Sequence, residues 1–266
     1  MSDVPALLIN TVALKAGARI MEIYASDFTV EAKSDASPVT EADAAAERII
    51  LEGLAKLSPS TPVVAEEAVS GGVIPQTAER FYLVDPLDGT REFVSRNGEF
   101  TVNIALIENG VPVMGVVFAP ALGEIFWGDA SHGAFKARVK DGKIGPQVAL
   151  KVRKAPTKIV AIGSRSHGSA ETDAWLARYE VEKFVAAGSS LKFCRVAEGA
   201  ADIYPRMGRT MEWDTAAGDA ILRAAGGLVT TLDGMPLQYG KRDRQDAIDF
   251  ANPYFVAYGD LGLKKD

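Results

Sequence analysis

Carboxylates stand at the ends of apolar segments in this 266-residue chain. Short apolar runs at residues 62–65 and 81–84 each end abruptly in acid, as buried strands do where a loop enters a site. The acidic positions at these ends and at predicted helix starts are Glu66, Glu67, Asp85, Asp88, Asp43 and Asp214. If the carboxylates converge, a pair about 4 Å apart repels by about 4 kcal/mol at an effective dielectric of 20. A bound cation or shared protons must then hold them together.

The segment 85–90 has the composition of a turn that aims ligands at one point. Pro86 fixes its own φ angle and stiffens the connection between Asp85 and Asp88. Gly89 allows a backbone to approach a ligand closely, and residues 90–94 can begin a helix whose N–H groups favour phosphate. An Asp-Gly pair is also an ordinary turn dipeptide, so the segment taken alone leaves both interpretations open.

Helix capping is a rival explanation for two of the acids. Thr40 and Asp43 match a capping box at a helix start, in which Asp43 reaches back to the cap. Asp214 could likewise be the N-cap of a helix over residues 215–225. Capping and metal binding are compatible at Asp214, because a cap position points its carboxylate out of the helix end. Both interpretations stay open.

Apolar periodicity predicts the elements that position these acids. Helical spacing at residues 4–25 and 40–57 predicts two amphipathic helices. Apolar runs at residues 100–107 and 111–118 flank Asn109-Gly110, the strongest short-range signal for a β-hairpin. More β-rich chain follows to about residue 139.

The pattern changes after residue 146, where short apolar runs alternate with helical segments. The runs are 159–162, 184–187 and 228–230, and the helical segments are 172–179, 189–198 and 215–225. This alternation is typical of strands covered by helices. We therefore expect two layered α/β halves, residues 1–150 and 151–266, that share a cleft, with Phe193, Cys194 and Tyr204 in the core.

The composition limits the chemistry. A net charge of −6 argues against a nucleic-acid surface, which requires a basic face. One cysteine, Cys194, and two histidines, His132 and His167, are too few for a usual zinc site. Oxygen ligands and hard cations such as magnesium remain. The chain has no apolar run that spans a bilayer and no signal-peptide pattern at residues 1–10, so we expect a cytoplasmic protein, with peripheral attachment to the inner face of the cell membrane left open.

Three segments together resemble the motifs of the inositol monophosphatase-like superfamily, in the same order and at similar spacing. These segments are Ala65-Glu66-Glu67, the run from Val84 to Thr90, and the run from Trp213 to Asp219. The resemblance extends over nearly the whole chain. It implies a layered α/β/α/β/α sandwich of the inositol monophosphatase and fructose-bisphosphatase type, with the active site between the two halves.

The resemblance also implies roles for individual residues. Glu66, Asp85 and the Leu87 carbonyl would hold one Mg²⁺, and Asp85, Asp88 and Asp214 a second, with a third ion near Glu66 as an option. Asp43 and Thr90 would position or deprotonate the attacking water, and Glu67 would support them. Gly89 and Thr90 would offer N–H groups to the phosphate. The attack would be direct, without a phosphoenzyme, and lithium would inhibit it.

Within the superfamily the chain resembles most the branch of bisphosphate nucleotidases, through the run from Arg96 to Leu106 and the segments 164–167 and 188–194. This likeness implies a bisphosphorylated nucleotide as substrate and a place in sulfur metabolism. The residues implied to bind it, besides the metal loop, are Ser164, Arg165, His167, Gly188, Ser189 and Lys192. Arg165 and Lys192 could equally be solvated surface charges. An inositol phosphatase or another sugar phosphatase is the alternative enzyme, a non-catalytic phosphate sensor is the alternative class, and the oligomeric state is open.

Overall fold

Two helices and a short ribbon begin the fold in the computed structural model, which describes residues 6–32, 38–164 and 169–265. Helix α1 (Ala6–Tyr24) is followed by the antiparallel strands β1 (Val30–Ala32) and β2 (Pro38–Thr40), and then by α2 (Glu41–Leu57). The Ala42 N–H donates to Thr40 Oγ1 at 3.2 Å, and the Thr40 N–H donates to Asp43 Oδ2 at 2.8 Å. This capping box satisfies backbone donors at the start of α2.

The largest element is an eight-stranded sheet. Its strands are β3 (Val63–Ala65), β4 (Arg80–Asp88), β5 (Thr101–Glu108), β6 (Val111–Ala119), β7 (Glu124–Asp129), β8 (Gly133–Lys140), β9 (Lys143–Ile144) and β10 (Val148–Leu150). They follow the order β10-β8-β7-β6-β5-β4-β3, with β9 paired to β8. Neighbours are antiparallel except β3 and β4, whose parallel pairing puts two carboxyl strand ends side by side.

Alternation along the strands gives this sheet two buried faces. On one face α1 and α2 pack against it, and Ile9, Ile20 and Ile50 share a core with Val116 of β6. The next residue, Val117, faces the opposite core. Strands buried on both faces require helices on both sides, and the second half of the chain supplies the other layer.

The second half forms a five-stranded sheet of order β12-β11-β13-β15-β14. Its strands are β11 (Ile159–Ser164), β12 (Val181–Ala187), β13 (Ile203–Arg206), β14 (Leu228–Thr231) and β15 (Phe255–Tyr258). Between the two sheets lie α6 (Leu191–Ala197) and α7 (Glu212–Ala224), while α5 (Ala170–Leu176) packs against β13. Two short helices, α3 (Glu66–Ser70) and α4 (Thr90–Val94), follow β3 and β4. The α/β/α/β/α sandwich is therefore confirmed.

Helix α7 lies unusually close to the large sheet. A Cβ atom on Gly115 of β6 would be 2.3 Å from the Ala217 carbonyl oxygen, and one on Gly128 of β7 would be 3.0 Å from Ala224 Cβ. Only glycine admits so close an approach of helix and strand backbones. This contact determines how far the beginning of α7, with Asp214, stands from the strands of the large sheet.

Most predicted elements are confirmed, including the hairpin, whose turn residues Asn109 and Gly110 have φ angles of 49° and 76°. Two details were wrong. The acidic segment 85–88 is not a turn after a strand, because β4 continues to Asp88 with a register irregularity between Asp85 and Asp88. The last helix begins at Glu212, so Asp214 is its third residue and not its N-cap. The division of the chain at residue 150 stays a prediction.

Candidate active site

The irregular end of β4 places two carboxylates at one edge of the large sheet. Asp85 pairs with Asn103 and Asp88 with Thr101 on β5, so the irregularity lies between the two acids. The Leu87 N–H donates to Asp85 Oδ1 at 3.0 Å, and this bond holds the Asp85 carboxylate against the backbone of Leu87. Asp85 and Leu87 are each 1% exposed, whereas Asp88 is half-buried and lines a cavity.

Glu66 stands beside Asp85 because β3 runs parallel to β4. Helix α3 begins at Glu66 directly after β3, and the Glu66 side chain hydrogen-bonds to Asp85. Behind it, the Glu67 N–H donates to Glu47 Oε2 on α2 at 2.8 Å. Burial raises the pKa of Glu47, which is 7% exposed. Glu47 thus anchors the start of α3, a role that its ordinary place within a helix pattern does not reveal.

Asp214 reaches the same place from α7. Its Oδ2 accepts the Met211 N–H at 2.8 Å, which closes a capping interaction from the third helical position. The Ser190 hydroxyl donates to the Asp214 carbonyl at 2.7 Å, and the Asn103 amide donates to Ser190 Oγ at 2.9 Å and to Asp88 Oδ2 at 3.3 Å. A single polar chain therefore ties β4, β5, α6 and α7 together beside the carboxylates.

The carboxylates perturb one another. Burial, and then the charges of Glu66, Asp88 and Asp214, raises the pKa of Asp85 well above its ordinary range. Burial, and then Asp88 and Glu66, does the same to the pKa of Asp214. Burial also raises the pKa of Asp88, although nearby Lys192 opposes it. Burial and mutual repulsion thus disfavour the ionised form of these carboxyl groups. A bound cation would relieve the repulsion and favour the ionised form.

The chemistry of the donor set fits a hard cation, since every group in it offers oxygen. Among the residues described here, however, no three acidic, histidine or cysteine side chains already stand in an arrangement that holds an ion. The carboxylates are engaged with the neighbouring donors named above instead. A cation would compete with the hydrogen bonds that Asp85, Asp88 and Asp214 accept from the neutral donors of Leu87, Asn103 and Met211.

Asp43 proves to be both a cap and a neighbour of the site. Its Oδ2 accepts the Thr40 N–H and hydroxyl, while its Oδ1 accepts the Thr90 hydroxyl at 3.3 Å. Asp43 is 1% exposed and Thr90 lines the cavity, so the hydroxyl connects the buried carboxylate with the cavity. The capping and site interpretations are therefore compatible at Asp43.

The cavity has a volume of about 250 Å³ and contains both signs of charge. Its acidic lining includes Glu66, Asp88 and Asp214. Its basic lining consists of Lys192, Arg91, Arg206 and Arg209. Sequence reasoning missed the three arginines, and the only local signal for two of them is the spacing of Arg206 and Arg209 just before Trp213-Asp214.

Lys192 is not a solvated surface charge, so that interpretation was wrong. Its role as a substrate-binding residue stays a prediction. It is 6% exposed, and its Nζ donates to the Ser189 carbonyl at 2.6 Å and to the Ala187 carbonyl at 3.4 Å. Burial lowers its pKa to about 8, while the charge of Asp88 acts in the opposite direction. The ammonium group also lies 5.4 Å from the centre of the Tyr204 ring.

The other predicted substrate residues divide into three groups. Ser164, Ser189, Gly89 and Thr90 line the cavity as expected. Gly188 and Leu87 do not line it, and the Gly188 N–H donates to Glu99 Oε2 at 2.8 Å. Arg165 and His167 lie outside the described residues. Phe193 and Tyr204 are buried as predicted but also form part of the lining, and Cys194 is fully buried.

Comparison with known proteins agrees with this architecture. The model of the inositol monophosphatase family matches residues 2–247. The chain is 46% identical to the 3'(2'),5'-bisphosphate nucleotidase CysQ of Escherichia coli O157:H7, over 91% of this chain and 95% of that protein.

Solved structures give the same result. The crystal structure of CysQ from Bacteroides thetaiotaomicron superposes with a TM-score of 0.74 at 38% identity, over 95% of this chain and 96% of that one. An inositol monophosphatase from Anabaena (Nostoc) superposes with a TM-score of 0.72 at 27% identity, over 95% and 89% of the two chains. The chain therefore belongs to the inositol monophosphatase family.

Proposed function

We propose that this protein is a magnesium-dependent 3'(2'),5'-bisphosphate nucleotidase that hydrolyses adenosine 3',5'-bisphosphate to AMP and phosphate. The observation that carries the proposal is a single cavity lined by carboxylates and, beside them, by a buried lysine and arginines. The carboxylates suit a metal-dependent phosphatase, and the cations suit a second phosphate on the same substrate. The 46% identity to a bisphosphate nucleotidase supports this choice of substrate.

Glu66, Asp85, the Leu87 carbonyl, Asp88 and Asp214 would hold two magnesium ions, with a third as an option. Bound magnesium would supply positive charge for the phosphate oxygens, activate water and stabilise the leaving alkoxide. Asn103 and Ser190 keep Asp88 and the beginning of α7 in place for this task. Glu47 does the same for α3 through the Glu67 N–H, so we assign Glu67 a supporting role.

Asp43 and Thr90 would take a proton from the attacking water. Thr90 Oγ1 faces the cavity and donates its own proton to Asp43 Oδ1. A water that donates to Thr90 Oγ1 can therefore pass its proton on to Asp43 in one concerted shift. The Asp43 carboxylate stays in position because Thr40 holds its other oxygen.

The second phosphate of the substrate would lie against Lys192 and Arg206, beside Ser164 and the backbone of Ser189, which also line the cavity. The Lys192 ammonium is desolvated by the surrounding protein, so an added phosphate interacts with it more strongly than in water. A monophosphorylated substrate would leave this part of the lining unused. The protein would thus distinguish bisphosphates from simple monoesters. The single, buried Cys194 is also compatible with the reducing cytoplasm, where we place the enzyme.

Phosphate release from a panel of monoesters tests the function. The panel contains adenosine 3',5'-bisphosphate, inositol 1-phosphate and fructose 1,6-bisphosphate, each with chelator, with Mg²⁺, and with Mg²⁺ plus Li⁺. We expect turnover only with Mg²⁺, inhibition by Li⁺, and the highest kcat/KM for the nucleotide. A higher kcat/KM for inositol 1-phosphate would instead support the alternative suggested by the likeness to solved inositol monophosphatases. Binding without turnover would indicate a sensor.

A further inference from the structure

The segment 188–190, called here the serine loop, connects β12 with α6 and is held by the other half of the chain. The Gly188 N–H donates to Glu99 Oε2 at 2.8 Å, and the Ser189 hydroxyl donates to the Glu99 carbonyl at 3.1 Å. The Thr101 hydroxyl adds a contact to Ser189 Oγ at 3.2 Å. Glu99 thus contacts the serine loop through both its side chain and its backbone.

The backbones of Gly188 and Glu99 lie in close contact. A Cβ atom on Gly188 would lie 2.5 Å from the Glu99 carbonyl oxygen and 2.9 Å from Glu99 Cβ. Glycine at this position therefore admits Glu99 to close contact with the backbone of the loop. Glu99 does not line the cavity, so any effect it has on the substrate is indirect.

Ser189 has a backbone conformation that needs support. Its φ angle is 43°, in the left-handed region that residues other than glycine rarely adopt. In this conformation the Ser189 carbonyl accepts the Lys192 Nζ at 2.6 Å. A backbone held in a sparsely populated region persists only where neighbouring contacts enforce it. Here the Glu99 carboxylate provides one such contact, to the Gly188 N–H, and the Glu99 carbonyl provides another, to the Ser189 hydroxyl.

We propose that Glu99 is a positioning residue for specificity, which holds the serine loop so that the Lys192 ammonium stands in the cavity for the second phosphate. The inference rests on the proposed function, because it assumes a bisphosphate substrate. Losing the Glu99 carboxylate frees the Gly188 N–H, and the Ser189 backbone next to it then loses part of its support. The Ser189 carbonyl can move, and with it the Lys192 ammonium that it orients. The consequence is weaker binding of the second phosphate, with the hydrolysed phosphate and the carboxylate cluster unaffected.

The test compares adenosine 3',5'-bisphosphate with adenosine 3'-monophosphate, which lacks the second phosphate. The measured quantity is the ratio of kcat/KM for the two substrates. For Glu99→Ala we expect this ratio to fall about tenfold, the effect of weakening one hydrogen bond to a charged group. The fall should come from the KM for the bisphosphate, with both constants for the monophosphate within about twofold of wild type.

Two conservative variants and one control sharpen the result. Glu99→Gln keeps an oxygen that accepts the Gly188 N–H, so it should retain the wild-type ratio. Glu99→Asp withdraws the carboxylate by one methylene and should lower the ratio, and it replaces the alanine variant if that one fails to fold. Glu108→Ala removes a glutamate at the other end of β5, paired with Arg80, and should leave the ratio unchanged.

Several outcomes would overturn the inference. An unchanged ratio in both Glu99→Ala and Glu99→Asp would show that Lys192 does not depend on Glu99. An equal loss on both substrates would indicate a general structural role. A glutamine variant as impaired as the alanine variant would show that the charge matters and not the accepting oxygen. A wild-type enzyme without preference for the bisphosphate would refute the proposed function itself, and this inference with it.

Discussion

Replacing Asp85 with asparagine should stabilise the metal-free protein although it removes a proposed metal ligand. Asp85 is 1% exposed and hydrogen-bonds to Glu66. Burial, and then the charges of Glu66, Asp88 and Asp214, raises its pKa well above the ordinary value. Without a cation, the folded protein must either take up a proton here or tolerate the repulsion. Asparagine keeps the shape and the hydrogen bonds of the side chain without the charge.

The Coulomb energy of the cluster limits the size of the gain. Two carboxylates about 4 Å apart repel by about 4 kcal/mol at an effective dielectric of 20, and proton sharing relieves part of this. We therefore expect Asp85→Asn to raise the free energy of unfolding at pH 8, in excess chelator, by about 1–4 kcal/mol. Because the folded pKa lies above the unfolded one, the folded state binds more protons, and its stability falls as pH rises through the folded pKa. The gain should consequently be smaller at pH 5.5 than at pH 8.

Urea unfolding followed by tryptophan fluorescence measures this gain. Wild type, Asp85→Asn and a control, Asp141→Asn, are compared at both pH values with chelator and then with Mg²⁺. The control removes one negative charge at an exposed turn, where the φ angle of Asp141, 51°, suits asparagine. It therefore shows how much of the stability change comes from the altered net charge alone. Mg²⁺ should stabilise wild type and the control but not Asp85→Asn. An Asp85→Asn protein no more stable than wild type in chelator at pH 8 would refute the idea of a repelling cluster.

Three further predictions concern Asp43, Lys192 and Cys194. Asp43→Asn should remain folded, because an amide oxygen can still accept the Thr40 N–H. Its kcat should fall about 100-fold or more, as expected for the loss of a proton acceptor. Unchanged phosphate release at saturating Mg²⁺ would show that Asp43 does not take part in the proton transfer. Lys192→Met should raise the KM for adenosine 3',5'-bisphosphate about 10- to 100-fold, which corresponds to the free energy of one hydrogen bond to a charged group. An equal rise in the KM for adenosine 3'-monophosphate would contradict the assignment of Lys192 to the second phosphate. Cys194 is fully buried and burial raises its pKa, so iodoacetamide at pH 8 should alkylate it only when the protein is unfolded in urea. Mass spectrometry detects the adduct, and labelling of the native protein would contradict this burial.

Local motifs made the carboxylate site predictable from the sequence. Asp85, Asp88 and Glu66 each follow a short apolar run, and such strand ends are positions where side chains meet. Their convergence depends on topology that spacing does not contain, since it needs β3 parallel to β4 and α7 packed against the large sheet. The hairpin and the capping box at Thr40 were predictable because both are determined within about ten residues.

Contacts between distant segments explain what the sequence did not predict. Helix α7 begins at Glu212, three residues before the predicted start, and the buried Glu212 carboxylate accepts the N–H groups of Gly240 and Lys241 at 2.6 and 2.9 Å. These N–H groups come from a distant segment without recognisable motifs. Lys192 is buried because α6 lies between two sheets, which its short helical pattern does not reveal. Arg206 ends β13 and Arg209 follows it, and both line the cavity, although an arginine at such a position is usually exposed to solvent.

The close approach of α7 to β6 has a consequence for the choice of metal. Magnesium–oxygen distances are about 2.0–2.1 Å and calcium–oxygen distances about 2.3–2.6 Å, so a few tenths of an ångström separate the two ions. Asp85 belongs to β4 and Asp214 to α7, and the missing side chain of Gly115 determines how deeply α7 sits on the sheet. A single methyl group at residue 115, which is not one of the proposed ligands, would lift the helix and widen the span between these carboxylates. Ion selectivity in this fold would then be a property of helix-to-sheet spacing, adjustable by a residue that touches neither ion nor substrate.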